Sequence, residues 1–177
     1  VLWDNSIAFN ARMELISESA LLGAAMVLLV LVLFLRPIVA FWVTIGIITA
    51  FAGAIFLMPY FGVSWNILST FAVLLVIGVI VDDAIVVGEN IHKEVESGRR
   101  EGIDAAIVGT HLVLKPVVFG VLTTIIAFLP WAVVTGPQKV FTQQITFVVV
   151  AALIFSIIEC MFILPAHLAH MILQSFD

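Results

Sequence analysis

The sequence predicts an all-α fold, a polytopic bundle of five membrane-spanning helices. Three observations predict it. Of the 177 residues, 63% are hydrophobic and only 11% are charged, where a soluble domain carries about 25% charged residues. The mean hydropathy is +1.27, and five apolar stretches read as long enough to cross a bilayer core, which needs about 20 residues of helix. None of the five alternates with period two, which disfavours a membrane barrel. Helices satisfy their own backbone hydrogen bonds in lipid and are the default alternative.

The spans are expected at residues 19–35, 38–58, 66–87, 112–135 and 143–164. Arg36-Pro37 separates the first two, because proline restricts the residue before it and lacks an N–H. Pro59-Tyr60-Phe61-Gly62 closes the second span and Thr135-Gly136-Pro137 the fourth. Pro116 suits an early turn of the fourth span, and Pro130 kinks or ends it. A polar stretch at about 92–104 forms the one long loop. Its start continues the third helix through the favourable pair Glu89 and Lys93, and Ser97-Gly98 stops it. The transmembrane domain is thus expected over 19–170, preceded by an interfacial lead-in, 1–18, and followed by a tail, 171–177. The chain begins at Val1 with no basic segment and cleavage site, so no signal peptide is visible, and it reads as an excerpt of a longer protein.

Charge gives orientation rather than partners. If the first span runs outside to inside, Arg36, Lys93, Arg99, Arg100 and Lys115 lie inside, against Arg12 and Lys139 outside. The positive-inside tendency then sets an external N-terminus and a cytoplasmic C-terminus. Trp42, Tyr60, Trp65, Trp131 and Phe141 fall near span ends, as an interfacial aromatic belt does. Seven scattered basic residues form no stripe, which argues against nucleic acid as a partner. The lone Cys160 excludes an internal disulfide framework and a cysteine-based zinc cluster.

The chemistry concentrates in the third span, at Asp82 and Asp83. Each intramembrane aspartate costs roughly 2.5–3.5 kcal/mol on insertion scales. Two together approach the whole stability of a small domain, about 5–15 kcal/mol, so a proton or a cation must compensate. Burial and a neighbouring carboxylate both act on the proton affinity of such a group, and the pair is expected to titrate as a coupled unit. A proton crossing the membrane releases about 2.3 kcal/mol per 100 mV, which makes such a site useful as a carrier. Counted from Trp65, Asp82 lies about 17 residues in, or ~26 Å along a helix, toward the inner part of a core ~30 Å thick; the alternative is that the pair lies just past the membrane boundary. No Lys or Arg lies within an apolar span, Lys115 being at an edge. A cationic partner is therefore expected from outside these residues.

At this point the sequence resembles a known family. The run Gly78-Val-Ile-Val-Asp82-Asp83-Ala-Ile-Val-Val-Gly-Glu89-Asn90 is similar to the signature on the fourth transmembrane helix of resistance-nodulation-division (RND) efflux pumps. Phe34-Leu35-Arg36-Pro37, Phe61-Gly62-Val63-Ser64-Trp65-Asn66, Phe128-Leu129-Pro130 and Leu164-Pro165-Ala166-His167-Leu168 resemble that family's helix ends, so the five spans match helices two to six of the amino-terminal half. The double aspartate resembles the hydrophobe/amphiphile branch more than the heavy-metal branch. The resemblance implies a secondary transporter of the inner membrane rather than an enzyme, a trimeric drug–proton antiporter driven by the proton gradient with no cofactor. It further implies a relay lysine in a second transmembrane half, periplasmic porter domains that select the substrate, a periplasmic adaptor and an outer-membrane channel. A metal-ion exporter and a non-transporting scaffold or secretion accessory of the same fold are the alternatives.

Two further acids are candidate accessory sites. Glu89 lies on the face of Asp82 and either passes protons outward or stays solvated beside Lys93. Glu159, late in the fifth span, reads as an edge residue that snorkels, or as a buried partner of another helix. His167 and His170 lack further metal ligands, and His92 and His111 read as interfacial. Gly46, Gly53, Gly78 and Gly120 read as sites of close helix packing.

Overall fold

The protein is described by a computed structural model covering residues 5–34, 37–99 and 102–174. Among the described residues every long element is helical. In chain order they are α1 (Asn5–Phe34), α2 (Pro37–Leu57), a 3₁₀ turn (Met58–Phe61), α3 (Ile67–Glu96), α4 (Gly102–Ala132), α5 (Lys139–Ile158), a π turn (Glu159–Ile163) and α6 (Leu164–Gln174). Four helical stretches are long and apolar enough to cross a membrane: Pro37–Phe61, Ile67–Glu96, Gly102–Ala132 and Lys139–Ala169. The first predicted span corresponds to a shorter apolar stretch, Ser17–Leu33. It continues without a break from the lead-in as one helix.

Helix ends follow local chemistry. Pro37 opens α2, where its missing N–H costs nothing because the first turn has no partner for it. Asn66 caps α3: its side chain accepts from the backbone N–H groups of Leu68 and Ser69, while the Ser69 hydroxyl accepts from the Asn66 backbone. Each such reciprocal cap satisfies donors that the first turn leaves over. The Asn66 amide also donates to Gln144 Oε1 on α5 at 2.8 Å, so the cap fixes one helix against another. Gly62 closes the 3₁₀ turn in the left-handed region, φ 68°, with its N–H on Pro59 O.

The polar loop is shorter than expected. α3 runs through His92 to Glu96, and α4 resumes at Gly102, so helix covers both ends of the predicted 92–104 stretch. Repeated i to i+4 pairing explains the extension, since Lys93–Glu89 meet at 2.8 Å and His92–Glu96 at 3.1 Å. Pro116 is not in an early turn but inside the 31-residue α4, which continues across it. Pro130 lies two residues before the end of that helix, as a terminating proline does. At Pro165 the helix widens instead of stopping. Proline brings no N–H to the carbonyl one turn earlier, and the Leu164 N–H reaches back to Glu159 O in the wider π register. The helix then carries on to Gln174, so residues assigned to the tail belong to it.

α3 is the hub, in contact with α1, α2, α4, α5 and α6. Val76, Ile80, Ala84, Val87 and Ile91 on α3 are fully buried, with Val43 on α2 and Val149, Ala152 and Leu153 on α5. Small residues let these helices approach closely, but not all of those expected. A side chain at Gly109 on α4 would collide with the backbone of Ile91. One at Gly53 would collide with the Phe155 ring, and one at Gly88 with Val39. Gly78 and Gly120 face open space, so neither packs a helix among the described residues.

Candidate functional site: a split acidic face

Asp82 and Asp83 are adjacent on a helix, so about 100° separates their directions. The bundle uses that angle to treat them differently. Asp82 is exposed on the chain, and Asp83 is half-buried. One oxygen of Asp83, Oδ2, is buried and has no hydrogen-bond partner among the described residues.

Asp82 belongs to a continuous open stripe. Phe71, Leu75, Gly78, Asp82, Val86 and Glu89 recur at helical spacing along α3, and all are exposed. The stripe runs nearly the whole helix, and Gly78, one turn before Asp82, has nothing within 4 Å of where a side chain would begin. Glu89 ends the stripe as expected for a solvated acid, with Lys93 Nζ at 2.8 Å and both side chains about half exposed or more.

α3, which carries Asp83, packs against the π turn. There Cys160 Sγ lies 3.8 Å from Glu159 Oε2. Glu159 is not the snorkelling edge residue of the simpler sequence reading: it is 3% exposed. Its carboxylate occupies the place where Gly46 on α2 has no side chain, and a methyl group there would overlap it. Of the two sequence readings, burial against another helix is the one realised. Ser156, one turn before, is also buried and its hydroxyl has no partner among the described residues.

The remaining polar candidates are occupied by structural contacts. His167 stacks on Trp42 with ring centroids 4.1 Å apart, and its Nδ1 lies 2.8 Å from the Ile163 carbonyl, to which it donates. The His170 side chain lies outside the described residues. No group of three metal-ligating side chains comes together among the described residues. Trp42 therefore packs on a histidine rather than standing free at an interface, whereas Tyr60, Trp65, Trp131 and Phe141 are exposed. Sequence reasoning passed over Ser156, and gave Cys160 and Gly46 no role beside an acid. Only the late acid one residue from a cysteine pointed there.

Comparison with known proteins agrees with the family resemblance. The AcrB/AcrD/AcrF family model matches residues 1–176. The chain is 31% identical over 175 residues to the toluene efflux pump membrane transporter TtgE of Pseudomonas putida, covering 93% of the chain and 16% of that protein. It is 31% identical over 167 residues to the multidrug resistance protein MdtC of Escherichia coli O139:H28, covering 92% of the chain and 16% of the relative. The MdtC of Salmonella arizonae is 36% identical over 138 residues, 75% of the chain and 13% of the relative. The chain thus spans about a sixth of the length of the first two relatives. A match over nearly its full length places this all-helical chain in the AcrB/AcrD/AcrF family of RND efflux transporters.

Proposed function

We propose that this chain is the proton-handling part of a drug or amphiphile exporter driven by the proton gradient, with Asp82 and Asp83 as its relay carboxylates. The observation that carries the reading is the exposure of Asp82 in mid-helix on an otherwise mostly apolar stripe of a membrane span. An acid facing lipid is strongly disfavoured, and such residues face a bundle interior or a water-filled cavity. The stripe therefore docks on another part of the transporter, and Gly78 leaves room there for a close partner. A lysine from a second transmembrane half suits the position, since a cation beside a carboxylate pair changes its proton affinity when it moves. Alternate loading and release of the proton then drives the exchange.

The rest of the assembly follows the family. The chain sits in the inner membrane of a homotrimeric secondary transporter, N-terminus periplasmic, with porter domains, an adaptor and an outer-membrane channel. The hydrophobic cargo is in keeping with relatives named for toluene efflux and multidrug resistance. The test is Asp82→Asn and, separately, Asp83→Asn in the full-length transporter. Export is expected to fall to background with normal amounts of protein in the membrane. Wild-type drug or solvent resistance in both variants rejects the proposal.

A further inference from the structure

We propose that Glu159 is a second proton-binding carboxylate, sealed between α2 and the π turn beside Cys160. This rests on the reading of Asp83 as a relay carboxylate, and it adds a site that the double-aspartate motif does not contain.

Three observations carry it. First, Glu159 is 3% exposed within this chain alone, and further protein packed around the bundle only buries it more. A cation from elsewhere in the transporter reaches Asp82 on the open stripe, but reaches Glu159 only by displacing α2 or the π turn. Second, Glu159 has no basic partner among the described residues. α2 has no titratable side chain, and α3, which packs against the π turn, brings the acid Asp83. α6 brings His167, which is engaged by Trp42 and the Ile163 carbonyl. Asp104, His111 and Lys115 on α4 are all exposed. An isolated buried carboxylate is tolerable when a proton or a cation neutralises it. The sulfur and the hydroxyl beside it are poor company for a metal ion that prefers several oxygens. Third, two buried polar oxygens without a well-formed hydrogen bond among the described residues lie on the elements that meet here: Ser156 Oγ, in a side chain 1% exposed one turn before Glu159, and Asp83 Oδ2 on α3, which packs against the π turn.

The backbone agrees with a working site. Glu159 opens a π turn, a register found frequently at functional sites, and Gly46 is the space that admits the carboxylate.

The test uses the full-length transporter in lipid, followed by infrared absorption in the carboxylic-acid C=O region as pH is varied. Proton-driven export is measured across the same range. The expected result is a carboxylic-acid band that Glu159→Gln removes and Asp82→Asn retains, with a shifted pH profile of export in Glu159→Gln. If Glu159→Gln does not assemble, Gly46→Ala keeps the acid but displaces it, and the band is expected to shift. An unchanged band and pH profile in the variant that assembles overturns the proposal, as does occupancy that follows sodium concentration at fixed pH. Should Asp82→Asn and Asp83→Asn both export normally, the relay reading falls, while the Glu159 band still reports on this site separately.

Discussion

The two acidic positions of this half-bundle differ in where their compensation comes from. Asp82 stands on an open stripe of α3 and is exposed until another element covers it. Glu159 is enclosed by the chain's own helices, against Gly46 and beside Cys160. On the proposed reading, the first meets a partner and the second excludes one. Asp83 belongs to both, half-buried between the stripe and the π turn. The difference teaches that an intramembrane acid is not one kind of site. A charge on a docking face is tuned by what docks, and a charge in a sealed pocket is tuned by its own walls.

The largest expected effect tests the open face. Replacing Asp82 with Asn is expected to abolish export in the full-length protein while leaving its quantity and thermal unfolding in detergent near wild type, because the side chain touches little within the bundle. A large fall in stability instead would mean that the stripe contributes to the fold. Filling the gap beside it comes next. Gly78→Leu is expected to cut export severely by holding off the docking element. Gly120→Leu, which also points into open space, is expected to leave export near wild type. Equal losses in the two would remove the distinction between a docking face and a lipid face.

The sealed site is expected to show itself in stability. Gly46→Ala forces a methyl group into the Glu159 carboxylate and should destabilise by about 1–3 kcal/mol, the range for overpacking. The double variant Gly46→Ala, Glu159→Ala should recover part of that loss in a double-mutant cycle. Additive losses would separate the two residues. Gly109→Ala serves as a control of similar size, ~1–3 kcal/mol, because its clash is with the Ile91 backbone and no acid is involved. The smallest effect is expected from Lys93→Ala. An exposed helical ion pair contributes about 0.2–0.5 kcal/mol, so unfolding and export should both change little. A marked export defect there would bring Glu89 into the proton path.

Much of the fold was legible in the chain because proline, glycine and Asx/Ser caps act locally. Asn66, Pro37 and Gly98 mark boundaries that hold whatever packs around them, and Glu89 with Lys93 pairs within one helix. Pro116 and Pro165 misled for the complementary reason. A proline's missing hydrogen bond is tolerated in a membrane helix when the register or a neighbour adjusts, and that adjustment depends on the surroundings. The Asp82–Asp83 pair was legible as a costly site because its cost depends on residue type and depth. Which aspartate faces outward was not, since α3 is apolar on most of its circumference and gives no clear inward side.

By itself, then, the sequence determined the helices, most of their ends and the presence of acids where water is scarce. These follow from hydropathy and from interactions a few residues long. The tertiary structure alone decided that Asp82 opens outward, that Asp83 is half-buried, and that Glu159 is buried against Gly46. Those outcomes depend on which helix faces pack, and in a chain this uniformly apolar, packing is settled by shape and by small residues far apart in sequence.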